Sequence, residues 1–118
     1  MTAKPLVALM LLLSAAPARA QSYYTMRFDD PKAVHADAMG ARGDGAADDT
    51  ASIQAAIDRV QESTGHGIVF LPEGRYRITR TLHVWPSIRL IGYGARRPVL
   101  VLAPQTPGFT DAAAENQL

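Results

Sequence analysis

The chain has 118 residues, of which 47% are hydrophobic and 19% charged, and it contains no cysteine. This composition predicts a folded domain and excludes a disulfide scaffold or a thiolate metal site. The 12 Lys and Arg residues nearly balance the 11 Asp and Glu residues and form no basic cluster, so nucleic acid and anionic membrane surfaces are not expected partners.

Residues 1–20 have the order of features of a secretory signal peptide. Lys4 supplies the positive start, the apolar stretch Leu6–Ala16 follows, and an A-x-A cleavage site ends at Ala20. The apolar stretch is shorter than the roughly 20 residues needed to span a bilayer. The sequence therefore predicts a secreted or periplasmic protein that is cleaved after Ala20 and does not associate with a membrane afterwards.

The segment after the leader changes from an irregular to a helical pattern. Residues 21–38 have no regular period and predict an extended N-terminal arm, and the glycines within 40–45 predict tight turns. An amphipathic α-helix is predicted from about Ala51 to Glu62, because apolar side chains recur there at helical spacing. These apolar positions are Ile53, Ala56, Ile57 and Val60. Such a helix must bury its apolar face against another part of the molecule.

Short apolar strands are predicted after the helix, with turn residues between them. They cover Ile68–Leu71, Tyr76–Thr79, Leu82–Val84, Ile88–Ile91 and Val99–Leu102. Short strands at close spacing are typical of a β-sandwich, a barrel or a solenoid. Ile68 and Ile88 begin similar strands 20 residues apart, a plausible length for one coil of a β-solenoid.

Three motifs carry a resemblance to a known superfamily. They are the run Gly40–Ile57 (GARGDGAADDTASIQAAI), the strand end Pro72–Tyr76 (PEGRY) and the turn Leu90–Gly94 (LIGYG). In this order they resemble the N-terminal segment of the pectate-lyase-like superfamily, which includes rhamnogalacturonase-epimerase-like domains and glycoside hydrolase families 28 and 55. The resemblance covers about Met39 to Leu102 and implies a mainly β fold, a right-handed parallel β-helix. Residues 39–118 are then the N-terminal cap and first coils of a truncated β-helix, with the amphipathic helix as its cap.

The motif residues are interpreted as architectural. Asp, Asp and Thr are residue types that favour a helix N-cap, and the glycines permit the turns before and between the strands. The structural motif comprises Gly43, Asp44, Gly45, Asp48, Asp49, Thr50, Ile53, Gln54, Ile57, Pro72, Gly74, Tyr76, Gly92 and Gly94. In related hydrolases the catalytic acids lie on later coils, and so do the calcium and base of related lyases. The resemblance therefore implies no catalytic, cofactor-binding or metal-ligating residue in this chain.

Two other functional roles have less support, one for the motif aspartates and one for two aromatic residues. Asp44, Asp48 and Asp49 do not have the spacing of EF-hand ligands, and the last two are adjacent, unlike the separated carboxylates that flank a sugar in glycosidases. Trp85 and Tyr93 are candidates for stacking on sugar rings, with packing at a coil corner as the alternative.

The expected function is that of the N-terminal part of a secreted polysaccharide-degrading enzyme. The leading hypothesis is a glycoside hydrolase acting on pectic or β-1,3-glucan-type polysaccharide, which would bind through later coils without a cofactor. A polysaccharide lyase and a non-enzymatic glycan-binding or structural β-helix, of the adhesin or tailspike type, are the alternatives. The chain alone is expected to be inactive and to aggregate through an unpaired edge at Val99–Leu102.

Overall fold

The structure is a computed structural model that describes residues 21–109. The predicted signal peptide, residues 1–20, and residues 110–118 of the predicted domain lie outside the described residues. The elements are β1 (Val34–His35), a 3-10 helix (Asp37–Met39), β2 (Asp44–Asp48), α1 (Thr50–Ser63), β3 (Gly67–Pro72), β4 (Arg75–Ile78), β5 (Ile88–Tyr93) and β6 (Val99–Leu102).

The strands form two parallel three-stranded sheets. Sheet A has the order β1-β3-β5 and sheet B the order β2-β4-β6. Successive strands alternate between the sheets, so each turn of the chain adds one strand to each sheet. The described residues are therefore mainly β with one α-helix, and three strands a sheet are too few to show a complete β-helix.

The pairing register shows how many residues separate equivalent positions in neighbouring strands of one sheet. In sheet A, Gly67 pairs with Ile88 and Ile68 pairs with Arg89, an interval of 21 residues. The predicted equivalence of Ile68 and Ile88 is therefore wrong by one position. This matters because a one-residue shift exchanges the two faces of a strand. Ile88 is buried in the core, whereas Ile68 lines a groove on the outer face of sheet A.

Helix α1 buries one face on the sheets, as its apolar period predicts. Its four periodic apolar side chains have no exposed surface, and they form a single core with Val69, Leu71 and Tyr76. Fully burying each of the three larger side chains contributes about 1.5–3 kcal/mol. The helix extends the predicted Ala51–Glu62 range by one residue at each end.

The predicted strand at Leu82–Val84 is not formed. Gln54 of α1 supplies the reason, because its side-chain amide binds the backbone of His83. Gln54 Oε1 accepts from the His83 N–H at 2.8 Å, and Gln54 Nε2 donates to the His83 carbonyl at 3.0 Å. The side chain thus satisfies the two backbone groups that a neighbouring strand would otherwise bind.

Two strands have no counterpart in the sequence prediction. β1 lies within the segment 21–38, predicted as an extended arm, and β2 begins within the glycine-rich turn. β1 has only two residues, and β2 consists of Asp, Gly and Ala, which are depleted in strands. Neither segment therefore presents a strand pattern, and pairing with β3 and β4 creates both.

β6 presents an apolar edge. Within residues 21–109 it pairs only with β4, and Val99, Leu100 and Leu102 are exposed. An unpaired strand with apolar side chains is a template for association with another chain. Aggregation of the isolated chain stays a prediction.

Candidate functional site

Asp49 holds the glycine-rich turn in place. Its side chain is 1% exposed, and its two carboxylate oxygens accept hydrogen bonds from the backbone N–H groups of Arg42 and Gly43, at 2.8 and 3.0 Å. Gly43 has a φ of +63°, which favours glycine. Asp49 occupies the N-cap position of α1, but its side chain makes no hydrogen bond to the first turn of the helix. Its carboxylate therefore acts on the turn rather than on the helix end.

Asp48 makes the polar contacts at the start of α1. Its Oδ1 accepts from the Thr50 N–H at 3.1 Å and from the Thr50 hydroxyl at 2.6 Å, while its Oδ2 accepts from the Thr79 hydroxyl at 2.7 Å. The Thr79 N–H in turn donates to Thr50 Oγ1 at 2.8 Å. This carboxylate therefore ties the start of α1 to the end of β4. The same contacts, those from the Thr50 and Thr79 hydroxyls first, lower the pKa of Asp48 from 3.8 to about 2.

Replacing Asp48 with asparagine is expected to remove part of the pH dependence of stability. Because the pKa of Asp48 is lowered on folding, its stabilising contribution is complete above about pH 4 and is lost as the pH falls towards 2. The wild type should melt at a higher temperature than Asp48→Asn at pH 5, and the difference should shrink as the pH is lowered to 2. Thermal melts across this range, with the exposed Glu62→Gln as the control, measure it. A constant difference between wild type and Asp48→Asn would contradict the assignment.

Asp44 and Gly45 form the first bend of β2. Asp44 Oδ1 accepts from the backbone N–H groups of Ala46 and Ala47, at 3.0 and 2.9 Å, and these bonds lower the pKa of Asp44. Gly45 has a φ of +76°. The pairing of β2 with β4 shifts register between Asp44 and Asp48, so this bend accompanies an irregularity in sheet B.

The glycines of the later motifs lie where the backbone is closely approached. A Cβ atom at Gly74 would lie 2.8 Å from the Gly43 carbonyl oxygen, and one at Gly92 would lie 2.4 Å from Pro98 Cδ. Real Cβ atoms do not come this close to such neighbours, so neither position has room for a side chain. Gly94 has a φ of +121°, which a side chain would also strain.

Tyr76 connects the second motif to the core. Its ring is buried, and its hydroxyl donates to the Pro72 carbonyl at 2.7 Å. Burial, followed by the negative charges of Asp37 and Asp49, raises the pKa of Tyr76 to about 12. The phenol is therefore neutral at ordinary pH and serves as a hydrogen-bond donor inside the core.

Replacing Gln54 with leucine is expected to lower the free energy of unfolding by about 1–2 kcal/mol, since two hydrogen bonds to the His83 backbone are lost. Urea unfolding measures this change. Gln61→Leu is the matched control on the same helix, because Gln61 Oε1 has no hydrogen-bond partner in the described structure. Equal losses in the two variants would contradict the role of Gln54.

The two candidate sugar-stacking residues have different surroundings. Trp85 is 43% exposed, and its indole N–H donates to Asp58 Oδ1 at 2.9 Å beside α1. Tyr93 packs edge-on against Phe70, with ring centroids 6.1 Å apart, on the outer face of sheet A. They lie at different parts of the surface and do not combine into one site.

The carboxylates discussed as a metal or catalytic set are held by internal hydrogen bonds. Each of Asp44, Asp48 and Asp49 accepts bonds from backbone N–H or hydroxyl groups. Within residues 21–109, no group of three or more His, Asp or Glu side chains is arranged to hold a metal ion.

No helix in the described part of the chain is both long enough and apolar enough to cross a membrane.

An aromatic groove lies between the N-terminal segment and the outer face of sheet A. It has a volume of about 200 Å³. The residues that line this aromatic groove are Tyr24, Phe28, Asp29, Asp30, Ile68, Phe70 and Ile91. Phe28 stacks on Phe70 with ring centroids 5.7 Å apart, and Tyr24 meets Phe28 edge-on at 5.0 Å. Phe70 is buried, whereas Tyr24 and Phe28 are partly open to solvent.

Hydrogen bonds hold the N-terminal segment against the end of sheet A. The Gly94 N–H and the Ser22 hydroxyl both donate to the Tyr24 carbonyl at 2.9 Å. The Arg97 side chain donates from Nε to the Gln21 carbonyl at 3.0 Å. These contacts fix the position of Tyr24 beside the groove.

Charged residues of both signs surround the aromatic groove, since Arg27 directly precedes Phe28 and Arg89 pairs with Ile68 in sheet A. Asp29 and Asp30 lie on its rim, and Asp30 Oδ1 also accepts from the Lys32 N–H at 2.9 Å. The sequence alone does not indicate that these residues form a groove. The one signal in the sequence is the interleaving of aromatic residues with Arg27, Asp29 and Asp30 in the predicted arm, which does not reveal the contact with Phe70.

Comparison with known proteins gives a family and partial relatives. Residues 33–116 match the family model described as rhamnogalacturonase A/epimerase, pectate lyase-like. Mannuronan C5-epimerase AlgE3 of Azotobacter vinelandii is 60% identical over 69 residues, covering 52% of this chain and 4% of that protein. Glucan 1,3-beta-glucosidase of Cochliobolus carbonum is 37% identical over 59 residues, covering 50% of this chain and 7% of that protein. The chain thus spans less than a tenth of the length of either relative.

A solved structure supports the same relationship. The A-module of mannuronan C-5 epimerase AlgE6 from Azotobacter vinelandii superposes with a TM-score of 0.54 at 35% identity, covering 59% of this chain and 20% of that one. The superfamily resemblance predicted from the three motifs is confirmed. Because the family model matches more than half of the 118 residues, the protein belongs to the rhamnogalacturonase A/epimerase, pectate lyase-like family.

Proposed function

We propose that this chain is the N-terminal part of a longer, exported polysaccharide-active enzyme built on a right-handed parallel β-helix. The observation that carries the proposal is the family match over residues 33–116. It is supported by the two parallel sheets, between which the chain alternates, and by α1 covering their common core. The matched relatives are named for action on mannuronan and 1,3-β-glucan.

The catalytic residues of this enzyme are proposed to lie on later turns of the β-helix. The three aspartates before α1 are engaged in holding the turn and the helix start, which leaves them unsuited to donate or accept a proton from a sugar. The purified 118-residue chain should therefore release no reducing sugar from pectin or β-1,3-glucan. Measurable release would contradict this part of the proposal.

Glycoside hydrolysis is the reaction we propose, because one matched relative is named a glucan 1,3-beta-glucosidase and the family is named for a rhamnogalacturonase. Epimerisation at C5 and elimination by a lyase both remove a proton next to a carboxylate, so both require a uronate substrate. Hydrolysis has no such requirement, so activity on a neutral β-1,3-glucan would identify a hydrolase.

A uronate-acting epimerase or lyase is the second candidate. The 60% identity to mannuronan C5-epimerase AlgE3 favours it, since that identity exceeds the 37% found with the glucosidase. The high identity spans only 4% of the epimerase, which is too little of that protein to carry its chemistry.

Assays of the complete natural protein separate these candidates. It should be incubated with β-1,3-glucan, polygalacturonate and alginate, with three readouts: reducing ends, unsaturated uronates, and exchange of the C5 proton with deuterated solvent. New reducing ends without unsaturated products are expected for a hydrolase. Unsaturated products or C5 exchange would support the second candidate, and no reaction with any polymer would favour a glycan-binding protein.

Export is proposed from the sequence of residues 1–20, whose features match those of a signal peptide. N-terminal sequencing of the protein recovered outside the cytoplasm should begin at Gln21. A mature protein that retains Met1 would contradict it.

A further inference from the structure

We propose that a pyranose ring of a glycan stacks on Trp85, in a pocket between α1 and residues 81–85. This inference goes beyond the proposed function, because it places a glycan-binding site in the described chain, apart from the catalytic residues proposed on later turns. The choice of a sugar as the ligand rests on the proposed function.

The pocket has the size of a small-molecule site and a mainly polar lining. Its volume is about 370 Å³, and small-molecule sites have volumes of roughly 300–1,000 Å³. The residues that line this Trp85 pocket are Gln54, Asp58, Thr81, His83 and Trp85. A ligand in the pocket therefore meets aromatic surface and several hydrogen-bonding groups together.

Hydrogen bonds hold Trp85 against α1. The Trp85 indole N–H donates to Asp58 Oδ1 at 2.9 Å, and Gln54 Nε2 donates to the same oxygen at 2.9 Å. Gln54 also binds the backbone N–H and carbonyl of His83. The indole is thus fixed before a ligand arrives, which lowers the entropic cost of binding.

The exposed part of Trp85 is ring surface that the fold does not use. The side chain is 43% exposed, and its one polar group is already bonded to Asp58. Trp85 is also not among the residues that form the core of α1 and the two sheets. A pyranose presents an apolar face of C–H groups, which matches an indole whose donor is satisfied.

The polar lining favours a sugar over an apolar ligand. Hydrogen bonds, that from Trp85 first, lower the pKa of Asp58, so its carboxylate is ionised at neutral pH. An apolar ligand would remove water from this charge without replacing the hydrogen bonds, whereas sugar hydroxyls donate to it. Arg59 and Arg80 directly adjoin Asp58 and Thr81 in the sequence, so the surroundings have charges of both signs. The recognised feature is therefore the sugar ring and not its charge.

NMR of the complete natural protein with isotope-labelled histidine tests the site. The His83 ring lies 6.1 Å from the Trp85 ring, and its signal is the one missing from His83→Gln. The probes are a thio-linked β-1,3-gluco-oligosaccharide, which a hydrolase does not cleave, and an oligogalacturonate of the same length. At least one should shift the His83 signal in a saturable manner, and the response identifies a neutral or an acidic sugar. Sorbitol, which has hydroxyl groups but no ring, should not shift it.

Two variants of Trp85 separate the stacking surface from the hydrogen bond. Trp85→Ala and Trp85→Phe both lose the bond to Asp58, but only the alanine variant also loses the aromatic face. From the concentration dependence of the His83 shift, Trp85→Ala should bind the sugar about tenfold more weakly than the wild type. Trp85→Phe should stay within about threefold of the wild type.

Three results would overturn the site: no response of the His83 signal to either oligosaccharide, an equal response to sorbitol, or equal losses of affinity in the two Trp85 variants. Failure of the proposed function has a different signature. If the Trp85 pocket binds a sugar but the complete protein modifies none of the polymers, the enzyme assignment is wrong and the site stands. If the protein modifies a polymer and the His83 signal never responds, the reverse holds.

Discussion

Replacing Asp49 with alanine is expected to lower the free energy of unfolding by about 3 kcal/mol. The buried carboxylate accepts two backbone hydrogen bonds, and bonds to a charged acceptor contribute about 1.5–3 kcal/mol each. Without them the N–H groups of Arg42 and Gly43 lose their partner in a partly buried turn. The turn precedes β2, so its loss should also loosen the pairing of β2 with β4. Urea unfolding followed by far-UV circular dichroism measures the stability.

Asp44→Ala is the matched control for this prediction. Asp44 also accepts two backbone hydrogen bonds, at nearly the same distances, but its side chain is exposed. Water can replace those bonds, so the loss of stability should be much smaller. If the two alanine variants lose the same stability, burial of Asp49 is not what gives the first motif its importance.

The sequence predicts the elements whose own side chains determine them. Helix α1 and the strands at Ile88 and Val99 have continuous apolar periods, and their predicted bounds agree with the structure to within two residues. The strand predicted at Leu82–Val84 fails because its pattern is strand-like, yet a side chain, Gln54, takes the place of the neighbouring strand. A local pattern contains no information about which group will satisfy its backbone.

The parts of the site that depend on contacts between residues distant in the sequence are harder to predict from the sequence. The motif identifies Asp49 as a residue of the turn and helix start, but not which N–H groups its carboxylate binds. The aromatic groove is a further case, since Phe28 and Phe70 are distant in the sequence and the contact between their rings depends on the tertiary structure. The interval of 21 rather than 20 residues is set by the pairing register, which decides that Ile68 and not Ile88 lines the outer face.

Replacing Gly74 with alanine is expected to lower the free energy of unfolding by about 3 kcal/mol, at the upper end of the cost of overpacking. The added Cβ would lie 2.8 Å from the Gly43 carbonyl oxygen and 3.1 Å from Gly43 Cα. That carbonyl also accepts from the Arg75 N–H at 2.8 Å, so it cannot move away without stretching a hydrogen bond between the turn and β4. The Gly74 carbonyl also accepts a hydrogen bond from the Val99 N–H. A shift of the backbone at Gly74 would therefore disturb β6 as well.

Gly65→Ala separates this contact from the general effect of removing a glycine. Gly65 has a φ of +71° and no atom within 4 Å of a built Cβ, so alanine there carries backbone strain of about 1 kcal/mol and no collision. Thermal and urea unfolding should therefore show a much lower stability for Gly74→Ala than for Gly65→Ala. The opposite order would mean that the turn and β4 do not approach each other as closely as the structure has them. The strand end at Pro72–Tyr76 would then need another reason for its glycine.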